Sequence, residues 1–405
     1  MASKLDQLIA ELCPDGVEYK KLKEVATIGR GGSFQKKDYV VSGIPCIHYG
    51  QIYTLYGLFI EETANFISDE VATKQKKAIT NDIIMAVTSE NMEDVCKCVA
   101  WLGEGEVAVS GHTAIIHHTL DPKYLVYYFH SSMFYNQKVK LAHGTKVIEV
   151  KPDSLGEIKL PVPPLEVQRE IVRVLDNFTF LTAELTAELT ARRKQYEYYR
   201  DKMIFTENIP LVELRSVVKS YCAGATPKKG NKLFYENGTI PWIRTQDVHF
   251  NEINEVGSYI TEAAVEQTAA KWIPENCVIV AISGASAGRC AINKIKATTN
   301  QHCLNMVIDD TKALYQYVYY CVAARYNELL SRKQGARGDL NSSLILGITI
   351  PLPTLEKQKK IVSKLYNFNK LLSDISVGLP AEIAARQKQY EYYRDKLLTF
   401  KELDA

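Results

Sequence analysis

What this chain lacks narrows its function before any motif is read. It has no run of about eighteen apolar residues, and its start, Met1-Ala2-Ser3-Lys4-Leu5-Asp6, carries no apolar signal stretch. A cytoplasmic protein is therefore expected. The nine cysteines are odd in number and scattered, which suits reduced thiols better than a disulfide framework. Cys96 and Cys98, with His112, His117 and His118 downstream, match no common zinc spacing. No Gly-x-Gly-x-x-Gly follows an expected strand, and the glycine- and lysine-rich stretch from Gly224 to Lys232 lacks the spacing and the Ser/Thr of a phosphate-binding P-loop. Pro152-Asp153 with Glu157-Ile158-Lys159 offers two carboxylates and a lysine, but Asp153 and Glu157 lie too close in sequence for the separate strands of a metal-dependent nuclease. No catalytic residue and no metal ligand is assigned.

The net charge of +2 does not mark a nucleic-acid binder, yet charge is uneven. Arg215, Lys219, Lys228, Lys229, Lys232 and Arg244 stand against only Glu236 and Asp247 between positions 215 and 247. Such a patch suits phosphate contact and suits a solvated loop face equally.

What is present is duplication. The octapeptide Gln195-Tyr196-Glu197-Tyr198-Tyr199-Arg200-Asp201-Lys202 recurs letter for letter at Gln389 to Lys396. Upstream, Pro161-Val162-Pro163-Pro164-Leu165-Glu166-Val167-Gln168, with Ile171 and Val172, reappears as Pro351-Leu352-Pro353-Thr354-Leu355-Glu356-Lys357-Gln358, with Ile361 and Val362. A chain of 405 residues, 46% hydrophobic and 24% charged, exceeds one typical domain. The natural division is a module over 1–158, a helical segment over 159–206, a second module over 207–348 and a second helical segment over 349–405.

In the first helical segment Ile171, Leu175, Phe178, Leu181, Leu185, Leu189, Tyr196, Tyr199 and Met203 fall at helical spacing on one stripe. Ile361, Leu365, Phe368, Leu372, Ile375, Leu379, Ile383, Tyr390, Tyr393 and Leu397 repeat it in the second. Each segment would reach roughly 60 Å if helical throughout. A helix that long with one sticky stripe needs a partner, and a pseudo-twofold duplication supplies it as an antiparallel pair. Prolines at 163, 164 and 353 mark the starts, with Thr354 as a cap. Gly378 and Pro380 predict a kink or short break. Within the first segment, Thr182-Ala183-Glu184-Leu185 is followed by Thr186-Ala187-Glu188-Leu189. Four residues lengthen a helix by about 6 Å and turn it about 40° past a full turn. That turn is close to the twist of one base pair, so copy number could act as a ruler; alanine, glutamate and leucine are also simply good helix formers.

The modules read as mixed α/β units with short strands, among them 44–47 and 82–87 in the first and 240–243 and 276–281 in the second. Helices are expected at 124–129 and 315–320. The loops between them are rich in residues suited to base edges. In the first module the candidates are Ser33, Gln35, Lys36 and Lys37; His48, Tyr49 and Gln51; Ser89 and Asn91; Ser110 and His112; Thr145 and Lys146. In the second they are Thr226, Lys228 and Lys229; Arg244, Thr245, Gln246 and Asp247; Ser283 and Ser286; Asn300, Gln301 and His302; and Arg337. Ordinary turns use the same residue types, and most protein to DNA hydrogen bonds go to phosphate and sugar.

Two modules alternating with two near-identical helices, Pro-Leu-x-x-Gln-x-x-Ile-Val at the helix starts, Lys-Gln-Tyr-Glu-Tyr-Tyr-Arg-Asp near their ends and the tandem Thr-Ala-Glu-Leu together resemble the specificity subunit of type I restriction-modification systems over essentially the whole chain. The resemblance implies an α+β fold: two target recognition domains separated by two long helices packed as an antiparallel coiled coil. It implies a non-catalytic, sequence-specific DNA-binding subunit reading a bipartite site in double-stranded DNA. It further implies docking of two modification subunits, which carry S-adenosylmethionine and methylate adenine, and of restriction subunits that use ATP and Mg2+. The second segment departs from the pattern, with Ser376-Val377-Gly378-Leu379-Pro380 in place of the tetrapeptides, so a ruler concerns only the first helix. An autonomous methyltransferase or nuclease, and a coiled-coil scaffold without DNA affinity, are the alternatives.

Overall fold

The computed structural model describes residues 4–206, 208–334 and 339–403, with only the backbone for 370–377. The chain divides into two compact units, Met1–Thr186 with Ala381–Ala405, and Ala187–Pro380. Each unit therefore holds one module, the half of its own long helix that adjoins it, and the opposite half of the other long helix. Among the described residues no helix is long and apolar enough to cross a membrane.

The first unit is built on a five-stranded sheet in the order Ala26–Arg30, Thr113–His118, Ile83–Ala86, Cys98–Trp101, Phe59–Ile60, antiparallel except for the last pair. Its central strands are apolar on both faces because both are covered. Side chains alternate along a strand: Ile83, Met85, Ala100 and Ile116 join the core under helix Pro122–Phe129, while Ile84, Ala86, Trp101 and Ile115 join a second core. That second core is shared with another five-stranded sheet, Tyr39–Val40, Asn65–Ile67, Ile44–Ile47, Val107–Val109, Lys77–Ala78. The second unit repeats the plan. Its main sheet runs Val218–Ala223, Cys303–Ile308, Val278–Ala281, Cys290–Asn293, Asn251–Ile253, and a four-stranded sheet contains Ile240–Ile243. Val278 and Val280 face the core with helix Tyr315–Ala324; Ile279 and Ala281 face the other. The strands and helices expected at 44–47, 82–87, 240–243, 276–281, 124–129 and 315–320 are all present, with small shifts at their ends.

The long helices, Leu165–Ile204 and Leu355–Leu397, start where the prolines mark them. Each start is fixed to its module by one buried glutamine. The Gln168 amide donates to the Pro163 carbonyl at 2.7 Å and accepts from the Asp121 N–H at 2.9 Å. Gln358 repeats this with the Pro353 carbonyl at 2.9 Å and the Leu314 N–H at 2.8 Å, and adds the Lys312 carbonyl at 3.1 Å. Tyr124 and Tyr317 donate their hydroxyls to the Pro161 and Pro351 carbonyls just before the helices. Beyond the glutamines, Ile171 and Leu175, and Ile361 and Leu365, are buried in the module cores.

The repeated octapeptide makes the reciprocal contact. In the first unit Tyr393 stacks on Phe178 at 5.4 Å; in the second Tyr199 meets Phe368 at 6.0 Å, with Tyr196 at 5.7 Å. Rising numbers on one helix thus meet falling numbers on the other, which is antiparallel packing along the stripe that the sequence displays. The chain's end then clasps its beginning inside the first unit. The Val17 N–H donates to the Lys401 carbonyl at 2.9 Å, and the Leu403 N–H donates to the Val17 carbonyl at 3.0 Å. Gly16 allows this with φ +127°, since a Cβ there would lie 2.7 Å from the Lys401 carbonyl oxygen.

Of the kink or short break expected at Gly378 and Pro380, the break is absent, and the helix continues through both. A proline inside a helix forfeits one backbone bond. Helix already formed and packed on either side, at Phe368 and at Tyr390, spares the cost of a new nucleus and carries the chain through.

Two tests follow from this packing. Replacing Gln168 or Gln358 with leucine strands a buried N–H and at least one carbonyl, and chemical denaturation should show a loss of about 2–3 kcal/mol. The second concerns acid. The His130 imidazole, bonded through Nδ1 to the Val126 carbonyl, is pushed down to about 4 by desolvation, with Arg394, Lys138 and Lys97 adding repulsion. A group depressed in the folded state contributes stability above its ordinary value, about 6.5 for histidine, and that stability is lost as pH falls toward about 4. His130→Asn should flatten this part of a stability-against-pH profile. Glu157, held at about 2 by hydrogen bonds from Lys21 and Lys23, would still lose its contribution at lower pH in that variant.

Candidate nucleic-acid interface

The candidate loops of the first unit converge. The Ser110 N–H donates to the Ile47 carbonyl at 3.0 Å and the Gly32 N–H to the Val109 carbonyl at 2.7 Å, which join the 30–37, 48–51 and 110–112 loops. The Val87 N–H donates to the His112 carbonyl at 2.9 Å and the Val150 N–H to the Val87 carbonyl at 3.0 Å, which add the 88–91 and 143–149 segments. In the second unit the same bonds recur at the matching places. Asn300 donates to Ile243, Ala225 to Thr299, Ile282 to His302 and Leu340 to Ile282, all backbone to backbone at 2.8 to 2.9 Å. One hydrogen-bonded frame is thus built twice.

On that frame several side chains differ between the units, while others, such as His112 and His302, are the same. In the first unit Ser33, Gln35, Lys36, Lys37, Asn91, His112, Thr145 and Lys146 are exposed, and His48, Tyr49 and Ser89 are half-buried. His112 takes φ +63°, a left-handed conformation that costs a residue with a side chain about 1 kcal/mol. Its ring lies 5.3 Å from that of Tyr49, which lies 4.5 Å from that of His48. Burial, then the charge of Lys36 and the neighbouring His112, lowers the His48 imidazole below its ordinary value. The loop carrying Thr145 and Lys146 is closed by paired bonds between His143 and Glu149, and Gly144 at φ +104° makes the turn. Its strand Ile148–Glu149 pairs with Thr88–Ser89.

Gln51 and Ser110 lie under this surface. The Gln51 side chain accepts from the His48 N–H at 2.8 Å and donates to Asn65 at 2.6 Å, while the Ser110 hydroxyl accepts from the Tyr49 N–H at 2.9 Å. Both use their polar atoms to set the loops.

In the second unit Lys228, Lys229, Gln246 and Gln301 are exposed, and Thr226, Arg244, Thr245, Asp247, Ser283, Ser286 and His302 are half-buried. The Thr226 hydroxyl donates to Gln301, whose amide lies 3.0 Å from His302 Nε2. Asn300 is buried and accepts from the His302 N–H at 3.1 Å; Asp247 accepts from the Arg244 N–H at 2.8 Å. Ser283 and Ser286 flank a short turn with Gly284 at φ +71°, next to the Ile282 bond to His302. Arg337 lies outside the described residues.

Two supports were not singled out in the sequence. Gln75 accepts from the Ser33 and Phe34 N–H groups at 2.7 and 3.1 Å. Asn305, 1% exposed, donates to the Thr299 hydroxyl at 2.7 Å beneath the 300–302 loop. The signal for Asn305 was a lone amide in the apolar run Cys303-Leu304-Asn305-Met306-Val307-Ile308. Gln75 had none, because its partners are some forty residues away.

Glu157 is held by Lys21 and Lys23 at 2.6 and 2.5 Å. Among the described residues no group of three or more His, Cys, Asp and Glu side chains could hold a metal ion. A groove of about 800 Å³ in the second unit, between Phe250, Tyr315, Tyr320, Lys359 and Tyr366, is lined by none of the candidate loop residues.

Comparison with known proteins agrees with this doubled frame. The type I restriction modification DNA specificity domain matches twice, over residues 14–192 and 207–385. The specificity subunit of the type I restriction enzyme EcoR124I/EcoR124II from Escherichia coli is 38% identical over 256 residues, 60% of this chain and 63% of that relative, so the match spans less than two thirds of it. A putative type I restriction enzyme specificity subunit from Haemophilus influenzae is 29% identical over 73% of this chain and 77% of its own length. A solved chain from work on complex assembly and conformational transition of the type I R-M system shares the fold, with TM-score 0.63 at 16% identity over 95% of this chain and 98% of that one. With the specificity domain matched over most of its length and the frame that carries it present in both halves, the chain belongs to the family of type I restriction-modification DNA specificity subunits.

Proposed function

We propose that this chain is the cytoplasmic, non-catalytic DNA-reading subunit of a type I restriction-modification complex, and that it recognises an asymmetric, bipartite sequence in duplex DNA. The observation that carries this is the single hydrogen-bonded frame used twice with different side chains at several matching places, such as His48 against Arg244 and Ser110 against Asn300. Equal frames with unequal donors and acceptors read unequal base edges. The modules 1–158 and 207–348 act as the two target recognition domains, and 159–206 and 349–405 as the helices that separate them. Exposed Lys36, Lys37, Lys146, Lys228 and Lys229 contact phosphates; Gln51, Ser110, Asn300 and Asp247 hold the reading side chains in place. Arg337 belongs to the same reading set.

The chemistry resides on partner chains: two modification subunits with S-adenosylmethionine, and ATP-dependent restriction subunits. The repeated octapeptide supports two like docking places, since Tyr198 and Tyr392 are each 61% exposed and each lies under a lysine four residues on. A target adenine leaves the helix to be methylated, at a cost of a few kcal/mol.

The tandem Thr-Ala-Glu-Leu sets the unread gap. Its threonines bond back along the helix, Thr182 to the Phe178 carbonyl at 2.9 Å and Thr186 to the Thr182 carbonyl at 2.8 Å, so each copy adds one like turn.

Methylome sequencing of cells carrying this chain with its modification subunit should reveal two dissimilar half-sites, and a perfect palindrome would defeat the reading. Gel shift separates the rival classes. The chain with its modification subunit should bind specific DNA, whereas cutting or methylation by the purified chain alone indicates an autonomous enzyme, and no affinity in either case indicates a scaffold. Deleting Thr186 to Leu189 should shorten the gap by about one base pair with both half-sites intact; an unchanged gap sinks the ruler.

A further inference from the structure

One position stands out within the doubled frame, the first residue after the strand that borders each candidate surface. Strand Ile44–Ile47 leads to His48 and strand Ile240–Ile243 leads to Arg244. Both residues are gripped in the same way. The His48 N–H donates to the Gln51 side-chain oxygen and the Arg244 N–H to the Asp247 carboxylate, each at 2.8 Å. The residue three further on donates its own N–H back to the carbonyl of each, again at 2.8 Å. The carbonyls of Ile47 and Ile243, one residue earlier, accept from Ser110 and Asn300. Both backbones are therefore held at three points, and what differs is the side chain.

The chemistry of the two side chains agrees although their identities do not. His48 Nδ1 accepts the Gly50 N–H at 3.2 Å, capping the short helix Tyr49–Thr54. An accepting Nδ1 carries no proton, so the neutral ring bears its proton on Nε2 and presents one donor. The Arg244 guanidinium sits 6.0 Å over the Trp242 ring. Its Nε is buried and has no hydrogen-bond partner among the described residues. A planar fork of donors held by packing is the usual reader of a guanine.

We propose that His48 and Arg244 are the specificity-determining residues of their respective units, each selecting a base acceptor in the major groove: Arg244 the O6 and N7 of a guanine, His48 a single acceptor such as N7 or O4. This rests on the DNA-reading role above, and it goes further in naming one residue per half-site and the sign of what it reads.

The test is a substitution cycle on the assembled complex of this chain with its modification subunit. Wild-type methylome data first define the two half-sites; if they show no bipartite motif, the DNA-reading role itself fails. Competition binding then compares the wild-type duplex with duplexes changed at one base. Arg244→Gln should weaken binding about five- to hundred-fold and remove the penalty for replacing one guanine in one half-site, leaving every penalty in the other half-site as in wild type. His48→Asp keeps a cap for Gly50 but offers only acceptors, so it should shift one position of the opposite half-site toward a base presenting a donor, cytosine or adenine. Arg244→Lys, which keeps the charge and stem, guards against a folding defect and should relax the same guanine. Unchanged base penalties in these variants, with a normal wild-type motif, overturn the assignment while leaving the DNA-reading role standing. Equal changes in both half-sites overturn it as well.

Discussion

The constraint on which the rest depends is the attachment of each long helix to its module through a single buried amide. Gln168 and Gln358 reach from the first turn of the helix to a loop N–H of the module, at Asp121 and Leu314, and back to the carbonyl before the helix. Only a side chain with a donor and an acceptor on one rigid plane meets both demands, and glutamine has the length to do so from inside the helix. With both ends engaged and the residue 0 to 1% exposed, the direction in which the helix leaves its module is fixed. Tyr124 and Tyr317 pin the chain one step earlier. A helix that left on a flexible joint could not hold any spacing, however regular its stripe.

Duplication then explains which differences the molecule tolerates. Eight residues beyond each glutamine stand Asp176 in one copy and Tyr366 in the other. Asp176 accepts from Lys123 at 2.7 Å and from Tyr127 at 2.6 Å, tying the helix flank to the module. In the second copy Gln316 and Tyr366 occupy the places of Lys123 and Asp176, and the groove of about 800 Å³ stands there. The glutamine bonds and the Phe178 and Phe368 contacts survive alongside that divergence. The flank tolerates drift that the attachment does not.

Much of this was legible in the sequence because duplication supplies its own control. Two stripes at the same spacing pointed to paired helices, and Tyr393 on Phe178 with Tyr199 on Phe368 are members of those stripes in contact. Strands such as Ile83–Ala86 were readable as apolar runs bounded by turns. What could not be read were long-range choices. Nothing local distinguishes Gln51, whose amide is used up on His48 and Asn65, from Gln35, which is exposed. Both are glutamines in polar loops, and only the fold brings Asn65 to one of them. The unbroken helix at Pro380 was illegible for a related reason, because propensity counts one lost bond and cannot weigh the packing on either side.

In the role proposed above, the same separation between frame and side chain would let such a protein change what it reads. A reading residue on a mobile loop would have to be ordered on binding, and each ordered side chain costs affinity. Here that ordering is done beforehand by backbone bonds that do not depend on which side chain is presented: Ser110 to Ile47 and Asn300 to Ile243 are made by main-chain atoms alone. A histidine and an arginine therefore occupy the same grip without altering it. In the role proposed for it, substitution at such a position would alter the pattern offered to DNA while these main-chain bonds stand whichever side chain is presented. Side chains also take part: the His48 ring accepts from Gly50 and the Ser110 hydroxyl from Tyr49, and the N–H groups of His48 and Arg244 are taken by the side chains of Gln51 and Asp247. They differ from one another, yet both present an oxygen three residues on, which is the one property the grip requires.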